Sequence, residues 1–147
     1  MDFKIILAAG VIVAAGGAYW LSRPVPGTDM AQASATSAAT AADAIVSITV
    51  PQISEDAQIG ARIFAAKCAT CHGDNGVGRD GKAPPLIHKI YEPGHHGDMA
   101  FLRAAQFGVK SHHWPFGDMP PVPGITQAEV GEIITYIREI QRANGIF

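Results

Sequence analysis

The segment Cys68-Ala-Thr-Cys71-His72 contains the only two cysteines in the chain. The thiols sit three positions apart, and an imidazole directly follows the second. A disulfide this local closes almost no loop, so it would do little to constrain the unfolded chain. A zinc site of the common kind needs about four ligands, usually at other spacings; Cys68, Cys71 and His72 supply fewer. A thioredoxin-like redox pair would lie beside a strand–helix–strand pattern, and none surrounds this one. The spacing suits covalent attachment of a haem. Two thiols one helical turn apart can each form a thioether to a vinyl group, and the next residue projects an imidazole at the iron. Cys68 and Cys71 are the expected attachment points, and His72 is the expected proximal iron ligand.

Holding such a group takes elements on both sides of the motif. Ser54, Glu55 and Asp56 make a helix start, with carboxylates where the helix dipole favours them. Ile59, Ile63 and Phe64 then recur at helical spacing, and the helix is expected to run to about Ala66 and deliver the cysteines. Residues Gly73 to Pro85 are crowded with Gly, Asp, Asn and Pro, which is loop chemistry. A second helix is expected from Asp98 to about Phe107, with Phe101, Leu102 and Ala105 on one face. His112 to Gly124 reads as a Pro- and Gly-rich loop. Thr126 and Glu129 form a capping box for a last helix to about Ala143, stopped by Gly145, with Ile133, Ile134, Ile137 and Ile140 as its apolar face. No convincing sheet pattern occurs, so the expected fold class is all-α.

The first 50 residues differ in kind. Ile5 to Leu21 is an uncharged, mostly apolar run between Lys4 and Arg23. As a helix it spans roughly 25 Å, slightly short of a hydrocarbon core of ~30 Å. Tyr19 and Trp20 suit interfacial anchors. A cleaved signal peptide is the competing reading, but the run exceeds the usual apolar region and the two bulky aromatics make a poor cleavage setting. Residues 1–23 are therefore read as a signal-anchor, a single transmembrane segment. Residues 24–50 are read as a flexible linker. Up to about Ala44 they are rich in Ala, Ser, Thr and Pro and carry too little apolar surface to offset the entropy of ordering. Ile45 to Val50 is β-branched, a short strand or an extended arm lying on the domain. Residues 51–147 form the expected folded domain.

Bulk composition excludes little else. The 147 residues carry a formal net charge of −2. Nucleic-acid binding, which wants a clear basic excess, gains no support.

From about residue 54 to 143 the sequence resembles the class I cytochrome c family. Gly60-Ala-Arg-Ile-Phe64-Ala-Ala-Lys-Cys68 is similar to the family's first helix, where a Gly and an aromatic precede the motif. Pro84, twelve positions after His72, matches the family's proline in this loop. The resemblance implies that the Pro84 carbonyl accepts the Nδ1 hydrogen of His72, orienting the ring and raising its basicity. It implies that Leu86 packs on the haem, and that Ile133, Tyr136 and Ile137 lie on a last helix crossing the first, with Gly60 permitting close approach. It also implies a distal methionine ligand. Met30 falls in the linker and Met99 opens a helix. Met119, in Gly117-Asp-Met-Pro-Pro121, has the loop setting and following proline the family often shows, so Met119 is the expected distal ligand. If Met119 were a gap-filling core residue instead, His112 or His113 would be the alternative, giving a haem of lower potential.

The histidine pairs His95-His96 and His112-His113 could bind copper or zinc, but ligation needs convergent groups and a sequence does not show convergence. Solvent-exposed loop histidines are the simpler reading. Trp114 could contact a haem propionate or cover the haem edge. Arg79, Lys82 and Lys89 could lie near a propionate or be solvated charges.

A six-coordinate haem leaves no open position for substrate, which points to electron transfer rather than an enzyme. The expected protein is a one-electron carrier with one covalent haem c in a periplasmic respiratory chain, held at the bacterial cytoplasmic membrane, or soluble in the periplasm if the leader is cleaved. A quinol-oxidising complex and a terminal oxidase would suit as partners, met in small transient contacts. Two alternatives are an electron-accepting haem subunit of a periplasmic dehydrogenase and a haem-based gas sensor.

Overall fold

A computed structural model describes residues 43–147. The expected anchor and most of the linker lie outside the described residues. Among the described residues four helices carry the fold: α1 (Glu55–Lys67), α2 (Ala69–His72), α3 (Asp98–Phe107) and α4 (Gln127–Ala143). Short 3-10 turns occur at Asp74–Gly76 and Lys89–Tyr91. Among the described residues there is no sheet, only two isolated antiparallel bridges, Arg79–Ala83 and Val109–Met119. No helix among them is long and apolar enough to cross a membrane.

The helix ends form where the capping chemistry places them. The Ser54 side chain accepts the Ala57 amide at the start of α1, satisfying one of the orphan donors of a helix N-terminus. At α4 both halves of the Thr126–Glu129 capping box are made. Ser54 also ties the two helices together, because its amide and hydroxyl donate to the Glu139 carboxylate on α4 at 2.8 and 2.6 Å.

α1 and α4 cross at Gly60. A Cβ there would lie 1.9 Å from the Glu132 carbonyl oxygen, so the helices close to a separation that only glycine permits. Around the crossing lies the core: Ala57, Phe64, Ile87, Ile133, Tyr136, Ile137 and Ile140. Phe64 and Tyr136 meet ring to ring at 5.7 Å, within the range where aromatic pairs add to area burial. The buried stripe of α1 is Ala57, Gly60 and Phe64; Ile59, counted in the apolar pattern, is 48% exposed. The small residues Ala57 and Gly60 take the inner face because the backbones approach there too closely for a larger side chain.

Residues 43–50 lie along the domain as an extended arm. The amides of Ile45 and Val46 donate to the Val77 carbonyl at 3.2 Å each. Thr49 exchanges two hydrogen bonds with the Asn144 side chain, both 2.8 Å. Asp43 pairs with Arg79 at 2.7 Å. Composition put the end of the linker at residue 50, whereas attachment to the domain begins at Asp43.

Candidate functional site: a haem attachment turn

α1 ends on Cys68, whose amide donates to the Phe64 carbonyl at 2.8 Å. The Cys68 carbonyl then accepts the amides of Cys71 and His72 at 3.1 and 3.0 Å. Both thiols and the imidazole thus share one helical turn, fixed to the end of a core helix. His72 is only 8% exposed. Its Nδ1 hydrogen is donated to the Pro84 carbonyl at 2.9 Å, which leaves the lone pair on Nε2. Burial lowers the His72 pKa against the opposing effect of the Pro84 bond, so the ring is neutral near pH 7, the form that binds a metal.

Cys68 is half-buried and Cys71 exposed, and neither is in a disulfide. Burial first, and then Cys71, push the Cys68 thiol up to about 11, with Lys67 opposing. A redox-active C-x-x-C pair requires a thiol depressed below its ordinary value. Cys68 is shifted the other way, which does not favour a redox pair.

The loop opposite is built by α4. Gln141, fully buried, donates Nε2 to the Leu86 carbonyl at 2.8 Å and to the Tyr91 carbonyl at 3.1 Å. The Leu86 amide donates to Gly76 at 2.8 Å, and the Leu86 side chain packs against the core. Arg138 is also buried. Its guanidinium donates to the carbonyls of Tyr91 and His96 and to Gln141 Oε1, each at 2.6 Å, and pairs with Asp98 at 3.0 Å. Neither Arg138 nor Gln141 stands out as a site residue in the sequence. A signal existed: each lies four positions after an isoleucine of the helix's apolar pattern, where a polar residue turned inward needs a buried partner.

Met119 sits in a two-bond antiparallel bridge. Val109 donates to it at 2.9 Å and accepts from it at 3.0 Å. Gly108, at φ 77°, makes the approach possible, since a Cβ there would lie 2.5 Å from the Met119 oxygen. Just beyond, Lys110 and Asp118 pair at 2.6 Å. Met119 lines an open cavity of about 340 Å³ with Phe107–Lys110 and its own neighbours Asp118, Pro120 and Pro121. Cys68, Cys71 and His72 are not part of its wall. Met99, the other candidate in the domain, is 62% exposed. Arg79 is committed to Asp43 and to the Thr70 carbonyl at 3.1 Å; Lys82 and Lys89 are exposed. His112 and His113 gather with His95 and His96.

The donor set fits a covalent haem: two free thiols and a neutral buried imidazole with its far nitrogen already oriented. Trp114 Nε1 is buried, and the indole lies against the Tyr91 side chain and, edge to ring, against His88 at 5.3 Å.

The cytochrome c family model matches residues 57–141, more than half of the chain, and spans most of α1, the attachment turn and most of α4. No curated protein matches the chain. Members of the family bind haem c covalently through the C-x-x-C-H motif, here Cys68 to His72, and the haem serves electron transfer. With the motif at the end of a core helix and the match running across the whole helical frame, this chain belongs to the cytochrome c family, as a class I c-type cytochrome that carries electrons.

Proposed function

We propose that this cytochrome is a His/Met-ligated one-electron carrier, tethered to the outer face of a bacterial cytoplasmic membrane and working between respiratory partners. The single observation that carries the ligand assignment is the pinned backbone of Met119. A thioether is a weak ligand and gains from being held in place, and the Val109–Met119 bridge holds it. Cys68 and Cys71 would hold the haem covalently, and His72 Nε2 and the Met119 sulfur would be its iron ligands. Bound there, the haem supplies a one-electron couple at its iron, and methionine ligation raises its potential. The protein's part is to bury and orient the group. Pro84 fixes the His72 ring, and Leu86 and the α4 isoleucines exclude water.

The tether rests on the apolar run Ile5–Leu21 and the small-residue stretch after it. A leash keeps the domain near membrane partners at high effective concentration. A quinol-oxidising complex as donor and a terminal oxidase or a periplasmic dehydrogenase as partner fit that placement, in the periplasm where haem attachment takes place. Contacts would be small and transient.

Absorption spectra of the purified protein and of Met119→Ala test the ligand. The near-infrared methionine–iron band is expected in the first and absent from the second. An unchanged band in the variant would move the assignment to Met99, and no band in the parent would favour histidine. For the tether, removing residues 1–42 should leave the spectrum intact and slow membrane-dependent electron transfer. Equal rates at matched concentration would remove the case for a leash.

A further inference from the structure

Four imidazoles outside the His72/Met119 ligand pair, on whose proposed assignment this inference rests, meet at one corner of the domain. His95 and His96 lie on the turn before α3, and His112 and His113 lie on the loop after it. The rings of His112 and His113 are 4.3 Å apart, those of His95 and His96 4.7 Å, and the two pairs face each other at 5.2 to 5.8 Å. One ring nitrogen from each of His95, His96 and His113 lies within 4.8 Å of the other two. His95 Nε2 and His113 Nε2 are 3.3 Å apart.

That last distance carries information. It is long for a strong hydrogen bond between ring nitrogens. It matches the edge of a tetrahedron of nitrogens around an ion at a bond length of about 2.0–2.1 Å, which works out to about 3.3–3.4 Å.

The tautomers are arranged for ligation as well. A ligating histidine almost always donates its other ring hydrogen to a carbonyl or carboxylate, which fixes the ring and places the lone pair. His96 donates Nδ1–H to the Ile90 carbonyl at 2.6 Å, and His112 donates Nδ1–H to the Lys110 carbonyl at 2.8 Å. Each is left with a free Nε2. His72 uses the same device toward Pro84.

Both loops are held from beneath. The Glu92 carbonyl accepts the amides of His95 and His96 at 3.0 and 2.8 Å, and buried Arg138 donates to the His96 carbonyl. On the other side Asp118 accepts the Ser111 amide at 2.9 Å, and the Ser111 hydroxyl donates to the Trp114 carbonyl. The site is therefore preorganised in its backbone, with two of the three convergent rings exposed and open to an incoming ion.

We propose that His95, His96 and His113, with His112 within reach as a fourth donor, form a second metal site, separate from the haem, for a divalent copper or zinc ion. A donor set of neutral imidazoles with no carboxylate suits late first-row metals and is poor for magnesium or calcium. Copper(II) binds more tightly than zinc(II) by the general order of affinities. An ion there ties the turn before α3 to the loop that carries Met119.

The test uses the full-length, haem-loaded protein and the double variant His95→Asn/His113→Asn, each titrated with copper(II) and zinc(II) against a chelator of known affinity. The parent is expected to take up one equivalent of either ion, with copper held more tightly. Its copper(II) resonance spectrum should carry couplings from several ring nitrogens. The double variant should bind roughly tenfold more weakly or worse, with fewer nitrogen couplings and an unchanged haem absorption spectrum. That unchanged spectrum separates loss of ligands from loss of fold. If the spectrum did change, the single variants His95→Asn and His113→Asn would be titrated in its place. Equal affinities in parent and variants, or a copper spectrum without ring-nitrogen couplings, would overturn the site.

Discussion

The attachment turn and the histidine corner use one piece of chemistry in two settings. In both, a backbone carbonyl takes the Nδ1 hydrogen of an imidazole, Pro84 for His72 and Ile90 for His96. At the turn, the remaining functional groups come from the same five residues, and the ring is buried to 8% exposure. At the corner they come from two loops, with His95 and His113 eighteen positions apart and both exposed. A site built within one helical turn exists as soon as the helix forms. A site built from two loops exists only once the domain has folded and pinned both.

Removing the thiols should separate the two regions most sharply. Cys68→Ala/Cys71→Ala should abolish covalent haem, so that the protein's visible absorption is lost after acid extraction of free haem. The His95→Asn/His113→Asn variant should keep all of it. Haem surviving extraction in the cysteine variant would break the assignment of the turn.

Gly60→Ala tests what the regions share. Both depend on α4, which crosses α1 at Gly60 and holds the Tyr91–His96 turn through Arg138. The added Cβ would overlap the Glu132 carbonyl and force the helices apart. A loss of about 3 kcal/mol or more is expected, read as a lower midpoint in denaturant unfolding followed by circular dichroism. A midpoint unchanged by the substitution would mean that the crossing is looser than 1.9 Å implies.

Arg138→Met should affect the regions unequally. The guanidinium serves Tyr91, His96, Gln141 and Asp98 while almost fully buried. Losing it takes the donor from the His96 carbonyl and from Gln141 Oε1, while Tyr91 keeps Gln141, at a cost of about 2–3 kcal/mol. The covalent haem should remain, while copper affinity at the histidine corner should fall because the His96 backbone loses its support. Unchanged copper affinity would show that Glu92 alone holds that turn.

The same contrast explains what could be read before the structure. The attachment turn was legible because its chemistry is local: two thiols and an imidazole at fixed spacing need only a helix. The caps at Ser54 and Thr126 were legible for the same reason. Gly60 was legible through family resemblance, and the structure supplies its cause in the Glu132 carbonyl. The histidine corner was not, because no local pattern reports that residues 95 and 113 meet. Arg138 and Gln141 were missed because helical periodicity marks apolar positions and gives no weight to a polar residue on the inner face. The arm at Ile45 to Val50 was one of two readings the β-branched run allowed, but its start at Asp43 was hidden by composition. Several of its hydrogen bonds are made by backbone atoms of Ile45, Val46 and Thr49, which a reading of side-chain composition does not register.

The smallest expected effect concerns that arm and its link to the turn. Arg79 pairs with Asp43 and donates to the Thr70 carbonyl within the motif. Both side chains are about one-third exposed, 36% and 35%, so screening by water keeps the contribution small. The hydrogen bond from Arg79 holds the Asp43 carboxyl below its ordinary value of 3.8. A carboxyl with a depressed folded-state pKa contributes stability that is present above its unfolded value and lost as pH falls through the folded one. The arm should therefore stay docked at neutral pH and loosen only below about pH 4. Asp43→Asn should remove that acid dependence, leave the haem spectrum unchanged and speed amide hydrogen exchange at Asp80, whose N–H donates to the Asp43 carbonyl at 2.8 Å. Faster exchange at His72 as well would mean that the arm braces the attachment turn. Exchange unchanged at Asp80 would mean that the backbone bonds at Ile45 and Val46 hold the arm without the ion pair.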